Sequence, residues 1–216
     1  MKRGWMNEFK KKEALWIHDG NMKRPHALLT SGGHSNGFFN SRLVVSDEPL
    51  LREAVSDLVN LYRDVNGFAK GAGIIVGLQT GATKIAEFMS DEGQKYGWMC
   101  GWASPEKVGE GKNKRMSFSL EEFSVLKDKD VLLCEDVITT GGSIDLTATA
   151  VIEAGGVVLP YVLALVNRSG LEEVDGRKIL ALVNHPMATW EEKECPLCKG
   201  GSKPLRPKDN WKLLNE

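Results

Sequence analysis

Apolar residues occur along the chain in two patterns, as short continuous runs and as sets at helical spacing. The runs predict buried strands over residues 73–76, 98–102, 131–134, 157–166 and 179–183. The spaced sets predict helices over residues 7–18, 84–94 and 144–154, and a fourth helix that follows Asp47, with Pro49 in its first turn. Residues 27–45 predict short strands joined by turns.

Strands that alternate with helices favour an α/β fold with a mostly parallel central sheet and helices on both faces. Ligands bind such sheets at the carboxyl ends of the strands. The residues that contact ligands are therefore expected in the loops at these ends, which are 77–83, 103–117, 135–143 and 167–170.

Composition narrows the class of protein. Apolar residues make up 42% and charged residues 26%, which is the usual globular mixture. The formal net charge of -1 argues against a protein that coats nucleic acid by charge. The chain shows neither a signal-peptide core nor an apolar run long enough for a membrane, so we expect a cytoplasmic protein that binds no membrane and no nucleic acid.

The strongest motif is Val-Leu-Leu-Cys-Glu-Asp-Val-Ile-Thr-Thr-Gly-Gly-Ser at 131–143. A buried strand places Glu135 and Asp136 at its carboxyl end, where they can hold sugar hydroxyls. Thr139, Thr140, Gly141, Gly142 and Ser143 follow just before a predicted helix. Backbone N–H groups at such a helix start bind phosphate, and glycine lets the phosphate approach closely.

This run resembles the signature of type I phosphoribosyltransferases, which bind 5-phosphoribosyl-1-diphosphate (PRPP). The resemblance implies that Glu135 and Asp136 contact the ribose hydroxyls and that residues 139–143 bind the 5-phosphate. It also implies Mg²⁺ as the cofactor, held mainly by oxygens of PRPP. The chain is then one domain, 1–216, in which residues 1–45 form a hood and residues 185–216 a tail.

Further segments resemble the orotate branch of this family. The segment 31–40 is similar to that branch's hood segment, which implies that Phe38 and Phe39 lie beside the base. Gly77, Thr80 and Gly81 stand where the family has its pyrophosphate loop, and Arg168 stands where an arginine contacts the base. The implied orotate-binding set is Phe38, Phe39, Thr139 and Arg168.

The sequence departs from the orotate pattern at Thr30 and Gly33, where the family often has Lys and Arg. Both departures remove positive charge near an anionic base. Two alternatives therefore stay open, a purine phosphoribosyltransferase and a non-catalytic PRPP-sensing regulator of the same fold.

Residues 104–117 are rich in lysine and glycine and predict a long mobile loop. The resemblance implies a lid that reaches the neighbouring subunit of a homodimer, and Lys107 is the best match to the family's lid lysine. Lys107 and Asp136 are therefore the predicted catalytic residues.

Cys195 and Cys198 form a Cys-x-x-Cys pair, which is half of a typical zinc site. The sequence has no second such pair, and His185 is the nearest histidine along the chain. We expect a reduced thiol pair in a tail turn, with zinc shared across a dimer as the alternative.

Overall fold

The structure is a computed structural model, and it describes residues 4–67 and 71–215. The side chains of Gln79, Thr80 and Lys112 lie outside the described part. The chain divides into two compact units, one of residues 45–184 and the other of residues 1–44 together with 185–216.

The described residues form helices and strands that alternate in the middle of the chain, over residues 74–167 apart from the two strands within 104–117. The helices are α1 (Trp5–Lys11), α2 (Arg42–Val45), α3 (Glu48–Asn66), α4 (Gln79–Gln94), α5 (Leu120–Leu126), α6 (Gly142–Glu153), α7 (Pro196–Lys199) and α8 (Trp211–Asn215). The strands are β1 (Leu15–Ile17), β2 (His26–Leu28), β3 (His34–Ser35), β4 (Gly37–Phe39), β5 (Ile74–Gly77), β6 (Gly101–Ala103), β7 (Glu106–Val108), β8 (Arg115–Ser117), β9 (Asp130–Ile138), β10 (Val157–Asn167), β11 (Glu173–Val174), β12 (Arg177–Asn184), β13 (Thr189–Trp190) and β14 (Pro204–Leu205).

The larger unit is built on a six-stranded sheet in the order β11-β12-β10-β9-β5-β6. Every neighbouring pair is parallel except the edge pair of β11 and β12. The central strands β9 and β5 therefore end at the same edge of the sheet. This edge is where the loops that follow β5, β6, β9 and β10 meet.

Helices cover both faces of this sheet. Val131 and Leu133 of β9 pack in one apolar cluster with Ile144 and Val151 of α6. Alternate residues of a strand point to opposite faces, and on the other face the Cys134 thiol lies 4.0 Å from the Ala82 carbonyl of α4. The predicted α/β fold with a mostly parallel sheet is confirmed.

Helix α3 follows the sequence prediction most closely. The Asp47 side chain accepts a hydrogen bond from the Leu50 N–H, and Pro49 lies in the first turn. Gly67 ends the helix in the left-handed conformation. Its apolar face, from Leu50 to Tyr62, is buried as the helical spacing predicts.

Several predicted boundaries were wrong, including those of the strands predicted over 98–102, found at Gly101–Ala103, and over 131–134, found at Asp130–Ile138. The helix predicted over 7–18 ends at Lys11, because Glu13 has φ of 53° and Leu15–Ile17 pairs with β4 as a strand. The helix predicted from residue 84 begins at Gln79, so most of the predicted loop 77–83 is helical. The segment 104–117 is an ordered hairpin of β7 and β8 instead of a long loop.

The smaller unit joins both ends of the chain in one four-stranded sheet, in the order β13-β3-β2-β14. Strand β13 pairs with β3, and β14 pairs with β2. The predicted hood and tail thus form one unit. Within residues 4–67 and 71–215, each helix is too short or too polar to cross a lipid bilayer.

Candidate active site

Glu135 and Asp136 lie near the carboxyl end of β9, which runs on to Ile138. Both side chains are partly buried. Each carboxylate accepts a hydrogen bond from the next backbone N–H, at 3.1 Å from Asp136 N and 2.8 Å from Val137 N. These contacts hold two acids side by side at the edge where ligands bind.

Residues 139–143 turn directly from β9 into α6. Gly141 has φ of 84°, and a β-carbon there would lie 2.8 Å from Val174, so glycine is required. The twelve-residue helix α6 begins at Gly142, which is exposed together with Thr140. The first N–H groups of a helix lack partners inside it. The turn is therefore suited to an anion.

Gly77 and Gly81 allow close contacts at the neighbouring end of β5. A β-carbon at Gly77 would clash with the Ala82 carbonyl at the start of α4. A β-carbon at Gly81 would lie 2.5 Å from Oδ2 of Asp136. The first turn of α4 thus lies against the acid pair, a contact that the sequence did not predict. The Thr80 side chain lies outside the described part.

Lys107 lies in β7, paired with Met116 of β8, and its side chain is exposed. The start of this hairpin is anchored at Ser104. Its hydroxyl donates to the Gly77 carbonyl at 3.0 Å, and its backbone N–H donates to Glu122 at 3.0 Å. Ser104 and Glu122 are anchoring residues that sequence reasoning missed, although Ser119 and Glu122 form a recognisable capping box.

The acid pair has unusual electrostatics. Burial raises the pKa of Glu135 well above its ordinary value of 4.5, and the charge of neighbouring Asp136 adds to this rise. The positive charge of Lys107 acts in the opposite direction. Lys107 is therefore within electrostatic reach of Glu135, and a perturbed carboxyl at a strand end is typical of a functional site.

Arg168 follows β10, and its backbone N–H donates to the Ile138 carbonyl at 2.9 Å. This bond places Arg168 beside the start of the 139–143 turn. Its side chain is only 3% exposed, and burial lowers its pKa to about 10. The guanidinium is still charged at neutral pH, so it is a buried cation at the binding edge.

The remaining predicted residues lie in the smaller unit. Phe39 is buried, with its ring centroid 5.0 Å from that of Phe9, whereas Phe38 is partly buried, 5.9 Å from Trp211. Cys195 and Cys198 lie beside two histidines that the sequence analysis did not select, His26 and His34. His185 is outside this group.

The sequence is similar to those of known orotate phosphoribosyltransferases over most of its length. The chain is 30% identical over 185 residues to an orotate phosphoribosyltransferase of Heliobacterium modesticaldum, covering 84% of this chain and 88% of the relative. It is 29% identical over 195 residues to one of Acidithiobacillus ferrooxidans, covering 90% and 93%. No family model matches the chain.

Solved structures share the fold. Orotate phosphoribosyltransferase from Aeropyrum pernix superposes with a TM-score of 0.57 at 23% identity, covering 82% of this chain and 92% of that one. Adenine phosphoribosyltransferase from Rhodothermus marinus gives 0.59 at 16% identity, covering 83% and 98%. Because enzymes for two different bases superpose equally well, the fold does not identify the base.

The parallel sheet, with two acids and a glycine-rich turn at its carboxyl edge, defines a type I phosphoribosyltransferase. Sequence similarity then narrows the class, since the match at 30% identity spans most of both chains. The chain belongs to the orotate phosphoribosyltransferase family.

Proposed function

We propose that this protein transfers the 5-phosphoribosyl group from PRPP to orotate, which gives orotidine 5-phosphate and pyrophosphate in pyrimidine nucleotide biosynthesis. The observation that carries the proposal is the position of Glu135 and Asp136 on β9, directly before the 139–143 turn into α6. The acids accept hydrogen bonds from the ribose hydroxyls, and the turn binds the 5-phosphate.

In the proposed reaction, the bond between ribose C1 and the pyrophosphate oxygen breaks, and its electron pair leaves with pyrophosphate. A ring nitrogen of the base forms the new bond to C1 and releases its proton. The leaving group is strongly anionic while C1 becomes cationic, so the chain contributes mainly by positioning charge. Asp136 lies on the ribose side, and Lys107 neutralises the departing pyrophosphate.

Mg²⁺ suits the donor set at this edge, because carboxylate and phosphate oxygens are the ligands it prefers. Among the described residues, the group of three or more close potential ligands consists of histidines and cysteines and does not include Glu135 or Asp136. Mg²⁺ would therefore be held mainly by PRPP, with Glu135 and Asp136 nearby, and would neutralise pyrophosphate charge.

Orotate carries a carboxylate and two ring carbonyls, so its site needs fixed donors. Arg168 supplies a buried cation beside Thr139, which suits that carboxylate. A site built to bond a carboxylate rejects a purine, which lacks that group, so orotate is the proposed base. Phe38 and Phe39 are kept as proposed base contacts because of the family resemblance alone.

The proposed assembly is a cytoplasmic homodimer in which the hairpin 104–117 serves the active site of the neighbouring subunit. The hairpin carries exposed cations, including Lys107 near its base. Its turn needs glycine at 109, because a β-carbon there would clash with the Asn113 carbonyl. The regulator alternative would bind PRPP without turnover and is excluded by any release of pyrophosphate.

The experiment that tests the PRPP site is the double substitution Glu135→Gln with Asp136→Asn. Each lost charged hydrogen bond costs about 1.5–3 kcal/mol, so kcat/KM for PRPP should fall about a hundredfold or more. The fold should persist, since the change removes mutual repulsion in a partly buried pair. Glu172→Gln with Glu173→Gln neutralises an exposed adjacent pair and serves as the control. Unchanged PRPP use by the first variant would remove the acids from the site.

A further inference from the structure

Four side chains of types that bind transition metals converge within the smaller unit, as two pairs from distant parts of the chain. They are His26, His34, Cys195 and Cys198, and one ligand atom from each lies within 4.8 Å of all the others. The two histidines belong to β2 and β3, while the cysteines flank the first turn of α7. We propose that these four residues bind a structural Zn²⁺ ion.

Three of the distances between ligand atoms are close to those of a tetrahedral zinc site, and the distance between the two histidines is shorter. Zinc bonds of about 2.3 Å to sulfur and 2.0–2.1 Å to nitrogen separate neighbouring ligands by about 3.3–3.8 Å. Nε2 of His26 lies 3.7 Å from the Cys195 sulfur and 3.5 Å from the Cys198 sulfur. Nδ1 of His34 lies 3.2 Å from the Cys198 sulfur and 2.8 Å from Nε2 of His26. A small outward movement of the two rings gives the full geometry.

A second layer of hydrogen bonds fixes the tautomer of His26. The Ser202 hydroxyl donates to the Arg24 carbonyl at 2.7 Å, so its oxygen accepts from the Nδ1 of His26 at 2.9 Å. Nδ1 therefore carries the proton, and the lone pair of Nε2 points into the cluster. This is how proteins orient histidine ligands.

The cysteine turn has the form of a metal knuckle. Cys195 caps α7, with Pro196 in the first position, and its sulfur accepts the Cys198 N–H at 3.5 Å. Gly201, with φ of 91°, then turns the chain back. Zinc binds the thiolate form of cysteine, so binding releases the thiol protons.

Zinc is the metal that this donor set selects. Two thiolates and two imidazoles in a tetrahedron suit Zn²⁺. Four protein ligands leave no open position for a substrate, and His26, His34 and Cys195 are buried. The site is therefore structural, and it joins the β2–β3 hairpin to a tail more than 150 residues further along.

The competing explanation is a metal-free cluster, in which His34 donates a hydrogen bond to His26 beside two thiols. Metal analysis of the whole chain, purified in reductant and reconstituted with Zn²⁺, separates the two. We expect one zinc per chain, retained through gel filtration. Co²⁺ in its place should give the intense visible bands of a tetrahedral site and a thiolate charge-transfer band.

Substitutions locate the ion. Cys198→Ser and His34→Ala should lower the zinc content at least tenfold, whereas Cys100→Ser and His185→Ala, which change the same residue types elsewhere, should retain it. Chelation of the wild-type protein should raise amide hydrogen exchange in residues 24–37 and 187–205 and leave the strands β5 and β9 protected.

Wild-type protein that holds no zinc after reconstitution would overturn the proposal, whether or not the variants fold. Wild-type zinc content in Cys198→Ser and His34→Ala would also overturn it. Neither measurement depends on the transferase activity, so the zinc proposal and the proposed function fail separately.

Discussion

At the scale of single residues, the acid pair is expected to make the binding of PRPP depend on pH. Glu135 is partly buried beside Asp136, so its pKa is raised, and the protonated form of Glu135 is favoured by folding. The proposed hydrogen bonds from the ribose hydroxyls are stronger to the ionised carboxylate. Binding of PRPP is therefore expected to compete with this proton at a pH below the raised pKa.

The first prediction follows from the sign of this shift. As the pH rises from 4.5 through the raised pKa of Glu135, PRPP affinity should increase while the free energy of unfolding decreases, because the folded state binds the proton more tightly. Glu135→Gln should remove this contribution to the pH dependence of PRPP affinity and to the pH dependence of the free energy of unfolding. Calorimetric titration and denaturant unfolding across the pH range measure them. Identical pH profiles for the wild type and Glu135→Gln would contradict the assignment.

A second prediction separates stability from binding at Gly81. This residue lies in α4, where alanine favours the helix by about 1 kcal/mol over glycine, but a β-carbon would press on Oδ2 of Asp136. Gly81→Ala should keep or raise the melting temperature and raise the KM for PRPP. Gly73→Ala, whose β-carbon makes ordinary contacts at 3.4–3.5 Å, is the matched control. Equal KM values in the two variants would show that the contact does not position Asp136.

At the scale of elements, the β7–β8 hairpin is held at its base and charged towards its tip. Ser104 bonds the base of the hairpin to Gly77 at the end of β5 and to Glu122 of α5. The backbone close to Lys107 is therefore anchored. Lys107 already affects the pKa of Glu135 in the same chain. The family resemblance instead implies a role in the neighbouring subunit, and the two arrangements give different results when subunits are mixed.

The third prediction concerns this hairpin. Lys107→Ala should lower kcat about a hundredfold and leave the dissociation constant of PRPP nearly unchanged, because the lysine acts as pyrophosphate departs. Lys178→Ala, an exposed lysine of β12, should leave kcat unchanged. Mixed dimers should recover activity when one subunit carries Lys107→Ala and the other carries Glu135→Gln with Asp136→Asn. In these dimers the intact acid pair of one subunit receives Lys107 from the other. No recovery would show that Lys107 serves its own subunit, and normal kcat in Lys107→Ala would remove it from the mechanism.

Elements were predictable from sequence where local signals agreed. Asp47, Pro49 and the apolar spacing determine α3, and the run before Glu135 determines β9. Prediction failed where distant contacts decide the structure. Leu15–Ile17 is a strand because it pairs with β4, and α4 starts early because Gly77 lets its first turn pack closely.

At the scale of the whole molecule, the two units differ in how far the sequence could predict their sites. Residues 139–143 are continuous with Glu135 and Asp136, so a single motif identified this candidate site. The histidine and cysteine cluster joins residues from both ends of the chain, and His26 and His34 carry no local spacing that links them to Cys195. Only the pairing of β2 and β3 with the tail strands brings them together.

The identity of the base also lies beyond the fold, since orotate and adenine enzymes superpose equally well. One feature of the sequence favours orotate as the base, and another argues against it. Arg168 is a buried cation at the binding edge, whereas Thr30 and Gly33 replace cationic residues that the orotate pattern often has. In the proposed site, Arg168 is the residue expected to recognise the carboxylate of orotate.

The most direct test of the central claim is pyrophosphate release from PRPP, with Mg²⁺, in the presence of orotate, adenine or hypoxanthine. The wild-type protein should turn over with orotate and show little activity with either purine. Arg168→Ala should lose about thirtyfold or more of kcat/KM for orotate, since removing one partner of a buried charge pair costs about 2–5 kcal/mol. Efficient turnover of a purine, with none of orotate, would contradict the account.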